Sequence, residues 1–222
     1  MYSLDDVLQS YRGRDGIFRA VGYACLLAGG LTSGNASKKF YTVSSEISQC
    51  RVVMRFLDDW PMLKYSMEYG VGKSEQDDVL RAVGILKNAA DQLFYPTEHI
   101  AWLAKKKIID VSSNIWETSG TILWTISLYC SIARSLRLIN MLQKKKEKYF
   151  LQTVNPTGDD YSLLVREQTQ NLLCFLRCLL DLINAISWLP SGFLWSGKLK
   201  AWHNGLLGLV SSFLSFAQET IR

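Results

Sequence analysis

Between Leu182 and Gln218 the chain carries only two formal charges, Lys198 and Lys200. A run so poor in charge belongs inside a helical bundle or in a bilayer, because no solvated face can be drawn on it. Its last part, Ala201 to Gln218 (AWHNGLLGLVSSFLSFAQ), offers 18 uncharged residues, near the lower limit for a transmembrane helix. Trp188, Trp195 and Trp202 crowd its approach, as an interfacial aromatic belt does. Gly205, Gly208, Ser211, Ser212 and Ser215 recur at near-helical spacing, and such small side chains let helices approach closely in lipid.

A second apolar run, Thr118 to Ala133 (TSGTILWTISLYCSIA), lies between Glu117 and Arg134. Its length of about 24 Å as a helix falls short of a hydrocarbon core of about 30 Å. It lengthens through Leu136, Leu138 and Ile139 if Arg134 and Arg137 snorkel. A polar connector then holds Lys144, Lys145, Lys146 and Lys148 and the turn-like Asn155-Pro156-Thr157-Gly158. Four regions follow: an amphipathic N-terminal part over 1–115, a central hydrophobic helix over 116–139, a basic connector over 140–170 and a hydrophobic C-terminal part over 171–222 with a span at 201–218. Two pairings of crossings remain open: the central run with 201–218, or a hairpin of 182–197 and 201–218 around Lys198 and Lys200.

The N-terminal part has no β-type alternation; its apolar residues return every three or four positions, so the fold class is all-α. Val52, Val53, Phe56, Leu57 and Trp60 fall on one side of a helix, with Arg51, Arg55, Asp58 and Asp59 on the other. Val79, Leu80, Val83, Leu86, Ala90 and Leu93 repeat the pattern before a turn at Pro96, and the segment ends in Lys105, Lys106 and Lys107. Breaks fall at Gly29 to Ser37, Pro61 and Gly70 to Ser74.

With 48% hydrophobic residues, 20% charged residues and a net charge of +5, the chain is greasy and basic, which suits an anionic partner. The basic clusters border long uncharged runs, so that partner is a phospholipid membrane rather than nucleic acid. Arg12, Arg14, Arg19, Arg51, Arg55, Lys105, Lys106 and Lys107 are placed to meet headgroups; for the arginines near the N-terminus, neighbouring acidic side chains are the alternative. The five cysteines form no CxxC pair and share no metal-ligand spacing with His99 or His203, so they read as small hydrophobes in a reducing compartment, with no metal and no cofactor. Asp58-Asp59 points its carboxylates apart on a helix, Gly70, Gly72 and Lys73 lack phosphate-loop spacing, and His99 has no nucleophile beside it; no catalytic residue is assigned and no enzyme is expected. The N-terminus does not resemble a secretory signal.

Five segments in order resemble the peroxisomal biogenesis factor 11 family, most closely its gamma-like subtype: GRDGIFRAVGYAC from Gly13, RFLDDWPM from Arg55, ADQLFYPTEHIAW from Ala90, WLPSGFLWSG from Trp188 and GLLGLVSSFLSF from Gly205. The resemblance implies an integral peroxisomal membrane protein, multi-pass or hairpin, that elongates and constricts the organelle before fission. It also implies self-association as homo- or hetero-oligomers, recruitment of a dynamin-related GTPase through fission adaptors, and termini in the cytosol. The family's leaflet-inserting helix corresponds to Ser48 to Glu68, with Arg51 and Arg55 on its basic positions and Asp58 and Asp59 where the family is usually basic. Polar residues within the apolar runs, Glu117, Asp181, Asn184 and His203, prompt an alternative, a channel or metabolite-permeability protein.

Overall fold

Helix ends follow local chemistry. Ser10 caps α2 (Tyr11–Leu31) by accepting from the Gly13 N–H at 2.9 Å, and Asp77 caps α5 (Asp78–Lys105) by accepting from the Leu80 N–H at 3.0 Å. A computed structural model describes residues 4–152 and 159–221, and among these every regular element is helical. The remaining helices are α1 (Leu4–Gln9), α3 (Gly34–Met54), α4 (Asp59–Tyr69), α6 (Ser113–Gln152), α7 (Asp159–Ser187) and α8 (Ala201–Ile221), with a 3-10 turn at Arg55–Leu57 between α3 and α4.

Three expected breaks are placed differently. The link over 29–37 shrinks to Thr32 and Ser33, with Gly34 starting α3 at φ +66°; Gly29 and Gly30 stay in α2, where they admit the Tyr41 ring and the Trp202 backbone. Pro96 sits inside α5 rather than ending it, and the Thr97 hydroxyl donates to the Leu93 carbonyl at 2.7 Å in that turn. The connector over 140–170 is helix up to Gln152 and again from Asp159; the expected turn at 155–158 lies outside the described residues.

The long helices pack in sequence around a circuit: α3 on α2, α2 on α8, α8 on α7, α7 on α6 and α6 on α5, with α1 resting on α2. The circuit closes where α3, the 3-10 turn and α4 meet α5. Ion pairs fix that seam, with Arg55 forked onto Glu98 (2.7 and 2.5 Å) and His99 against Asp59 at 3.2 Å. Close α2–α8 packing rests on glycines: a Cβ on Gly30 would lie 2.7 Å from Trp202 N, and Gly205 and Gly208 abut Leu27 and the Tyr23 ring.

The fully apolar core is small, centred on Leu128, Cys178 and Ala185 with Trp124, Ile132, Cys174 and Leu182 around them. Much of what is buried is polar, including Asp181, Asn184, Ser211 and Ser212. Much of what is exposed is apolar, and it is ordered. On α6, Ile115, Ile122, Tyr129 and Leu136 are exposed at seven-residue intervals, and Val79, Leu86 and Leu93 do the same on α5. The α6 row runs about 32 Å, close to the thickness of a hydrocarbon core.

Candidate functional site: a charged interior and an apolar exterior

Helices α2, α5 and α7, and α3 with the 3-10 turn that follows it, carry charged side chains four positions apart that face inward: Asp15 and Arg19, Lys87 and Asp91, Arg177 and Asp181, and Arg51 and Arg55. Inside the circuit of helices these line two cavities of about 850 and about 720 Å³, which share Arg19, Arg51, Lys87, Tyr95 and Arg177 and so form two ends of one passage. The charges pair across helices. Arg19 reaches Asp181 at 2.5 Å and the Ser211 hydroxyl at 3.0 Å, tying α2 to α7 and α8. Arg51 forks onto Asp15 at 2.7 and 3.0 Å, and Lys87 holds Asp91 on its own helix. At one mouth Lys105 meets Glu117 at 3.3 Å.

Aromatic rings line the same space. Trp124 and Trp188 stack with centroids 5.7 Å apart, and burial pushes the Tyr95 phenol up to about 12. Near the seam, burial and then the hydrogen bond to Asp58 (3.0 Å) raise the Tyr11 phenol. Asp58 itself is raised by burial. The Asp58-Asp59 pair is thus committed to Tyr11 and His99. Among the described residues no cluster of three His, Cys, Asp or Glu side chains is set to hold a metal ion.

The residues singled out from sequence divide by direction. Of the five expected to insert into lipid, Val53, Leu57 and Trp60 are exposed, whereas Val52 lines the larger cavity and Phe56 packs on His99 (4.2 Å) and Trp102 (5.4 Å). The 3-10 turn at Arg55–Leu57 breaks the continuous helix expected over Ser48 to Glu68 and rotates Leu57 and Trp60 outward. Of the headgroup set, Arg12, Arg14, Lys105, Lys106 and Lys107 are exposed, Lys106 lying 6.0 Å from the Trp102 ring centre. Arg19, Arg51 and Arg55 instead face inward, where they pair with carboxylates on neighbouring helices. Gly205, Gly208, Ser211 and Ser212 are buried and Ser215 half-buried, on the side of α8 that meets α2 and α7. Sequence reading missed Arg177, Lys87, Asp15 and Glu98. For Asp15, Lys87 and Arg177 the signal was present as charges four apart, with Arg19, Asp91 and Asp181; Glu98 has no charged residue at that spacing.

Two helices, Ser113–Leu151 and Asp160–Ser187, are long and apolar enough to cross a membrane. The segment expected to span at 201–218 is helical but is not one of these two, since His203, Asn204 and the glycines and serines dilute its hydropathy. The stretch 182–197 is not a helix of its own either: α7 ends at Ser187, and turns follow up to Lys200. Helices throughout the described residues, two of them of span length, and an apolar outer surface define a class, the helical membrane proteins. The chain belongs to the Peroxisomal biogenesis factor 11 (PEX11) family, a family of peroxisomal membrane proteins involved in peroxisome biogenesis, whose model matches residues 1–219. It is 38% identical over 222 residues to Peroxisomal membrane protein 11C of Homo sapiens, covering 97% of this chain and 92% of that one. It is 37% identical over 229 residues to Peroxisomal membrane protein 11C of Mus musculus, with the same coverage. No solved structure matches the chain.

Proposed function

We propose that the chain elongates and bends the peroxisomal membrane ahead of fission, by seating the outer side of its α3–α4 elbow in one leaflet. One observation carries this reading: Leu57, Trp60 and Met67 are 82, 73 and 74% exposed on a short segment whose arginines turn inward. Large apolar groups so placed gain roughly 1.5 to 3 kcal/mol each on entering the acyl boundary. A wedge confined to one leaflet widens it relative to the other and favours positive curvature. Asp58 accepts a hydrogen bond from the Tyr11 hydroxyl and Asp59 lies 3.2 Å from His99 Nδ1, so both carboxylates are engaged within the fold.

In this reading α6 and α7 are a pair of crossings, which returns the chain to the side it left and keeps both termini in the cytosol. Assembly with itself and with relatives, and recruitment of fission adaptors and a dynamin-related GTPase, follow from the family resemblance. The test is organelle shape. Overexpressed wild type should lengthen peroxisomes and stay in the pellet after alkaline carbonate. Leu57→Glu/Trp60→Glu should remain carbonate-resistant yet lose elongation; elongation equal to wild type would contradict the wedge.

The passage through the helices supports a second reading, permeability to small solutes. Glu117 and Asp181, two of the polar residues that prompted it, line the larger cavity. Reconstitution into planar bilayers decides it: conductance that changes on Lys87→Glu supports a path, and current no greater than that of protein-free bilayers removes it.

A further inference from the structure

Every basic side chain lining the larger cavity has a carboxylate partner except one. Arg19, Arg51, Arg55, Lys87 and Lys105 are matched by Asp181, Asp15, Glu98, Asp91 and Glu117 respectively. Arg177 is not. Among the described residues no carboxylate lies within ion-pair distance of it, and Asp181, one turn further along α7, is held by Arg19. Its Nη2 has a weak contact at 4.0 Å with Cys174 Sγ, and its Nε is buried with no hydrogen-bond partner. Arg177 lines both cavities, and so stands where the two halves of the passage meet.

A guanidinium cannot shed its proton to escape burial, and an unmatched cation within a span-length helix is costly. Its planar fork is complementary to the oxygens of a carboxylate or phosphate, to which it donates parallel hydrogen bonds. The other cations of the larger cavity already have carboxylate partners, so they add positive potential without competing for hydrogen bonds. Asp91 and Asp181 limit how much negative charge the space accepts.

We propose that Arg177 is the centre of an internal binding site for a small oxyanion, a phosphate or carboxylate group that enters the passage and completes its charge pairing. The site requires neither leaflet insertion nor conductance, so it stands or falls apart from both readings above. The same oxyanion chemistry is presented by a free anion and by a lipid headgroup.

The full-length protein in nonionic detergent is titrated at constant ionic strength with sodium phosphate, with sodium acetate and with short-chain phosphatidic acid, chloride being the replaced ion. Tryptophan fluorescence reads occupancy, since Trp124 and Trp188 line the cavity. The expected result is a saturable response, weakened at least tenfold by Arg177→Gln, partly restored by Arg177→Lys and unchanged by Lys39→Gln, an exposed side chain outside both cavities. Saturation by phosphate or acetate identifies a free anion, and saturation by phosphatidic acid alone identifies a headgroup; either supports the site. No saturable response to any of the three, or equal responses in wild type and Arg177→Gln, overturns it. Should Arg177→Gln fail to fold, alkylation of the wild-type protein gives an independent readout. The saturating anion should slow modification of Cys174, which contacts Arg177, several-fold while leaving the exposed Cys50 unaffected. Equal rates at Cys174 with and without the anion would equally overturn the proposal.

Discussion

Gly205 and Gly208 show what a single residue decides here. With the Leu27 backbone and the Tyr23 ring against them, neither position has room for a side chain. Gly205→Leu or Gly208→Leu should cost about 1 to 3 kcal/mol or more through overpacking, read as a lowered thermal midpoint by circular dichroism in detergent, while Gly192→Ala, which faces open space, isolates the backbone effect of its φ of +106°. Their spacing with Ser211, Ser212 and Ser215 was legible in the sequence as a close-packing row. The partner helix was not, because periodicity defines faces and leaves their pairing open. The same holds for charge. Asp15 and Arg19 are one turn apart on α2, but that both turn inward follows from Arg51 and Asp181, which are remote in sequence. At the surface, the Arg137 guanidinium (2.6 Å) and the Leu80 N–H hold the Asp77 carboxyl below its usual range. A depressed carboxyl stabilises the fold above its ordinary value of 3.8, and that contribution is lost as pH falls through the lower folded value. The gap in thermal midpoint between wild type and Asp77→Asn should therefore be open at pH 6 and narrow steadily below pH 4; a constant gap would deny Asp77 this role.

At the scale of elements, the elbow between α3 and α4 separates two residues that a continuous helix would treat alike. Leu57 points to the outside, and Phe56 packs between His99 and Trp102. Leu57→Glu should leave the thermal midpoint in detergent nearly unchanged while sharply reducing the peroxisome elongation seen on overexpression. Phe56→Glu should act first on the fold, lowering the midpoint by placing a charge against packed rings. If both variants reduce elongation and leave the midpoint unchanged, the elbow is not folded as described. Helical periodicity revealed this segment but not its break at Arg55–Leu57, where Arg55 forks onto Glu98 across 43 residues. Pro96 misled in the opposite sense. A residue that usually ends helices is carried through by packing of α5 on α6, with Thr97 filling the turn.

For the whole molecule, the arrangement is inverted relative to a water-soluble bundle, with ion pairs inside and ordered apolar rows outside. The helix α8, read from the sequence as a span, is not one of the two helices long and apolar enough to cross a membrane; those are α6 and α7, whose internal charges conceal their length in the sequence. The seven-residue row Ile115, Ile122, Tyr129 and Leu136 was present in the sequence throughout, but only the packing of α6 between α5 and α7 shows that the row is left exposed among the described residues. The inversion is tested most directly by spin labels on single cysteines in an otherwise cysteine-free chain reconstituted in lipid. Labels at Ile122 and Tyr129 should be relaxed more by oxygen than by a water-soluble nickel chelate, and labels at Ser127 and Ser131, which line the cavity, should show the opposite order. The same order at all four positions, or nickel dominating at Ile122 and Tyr129, would contradict a protein that turns its apolar side to lipid and its charges inward.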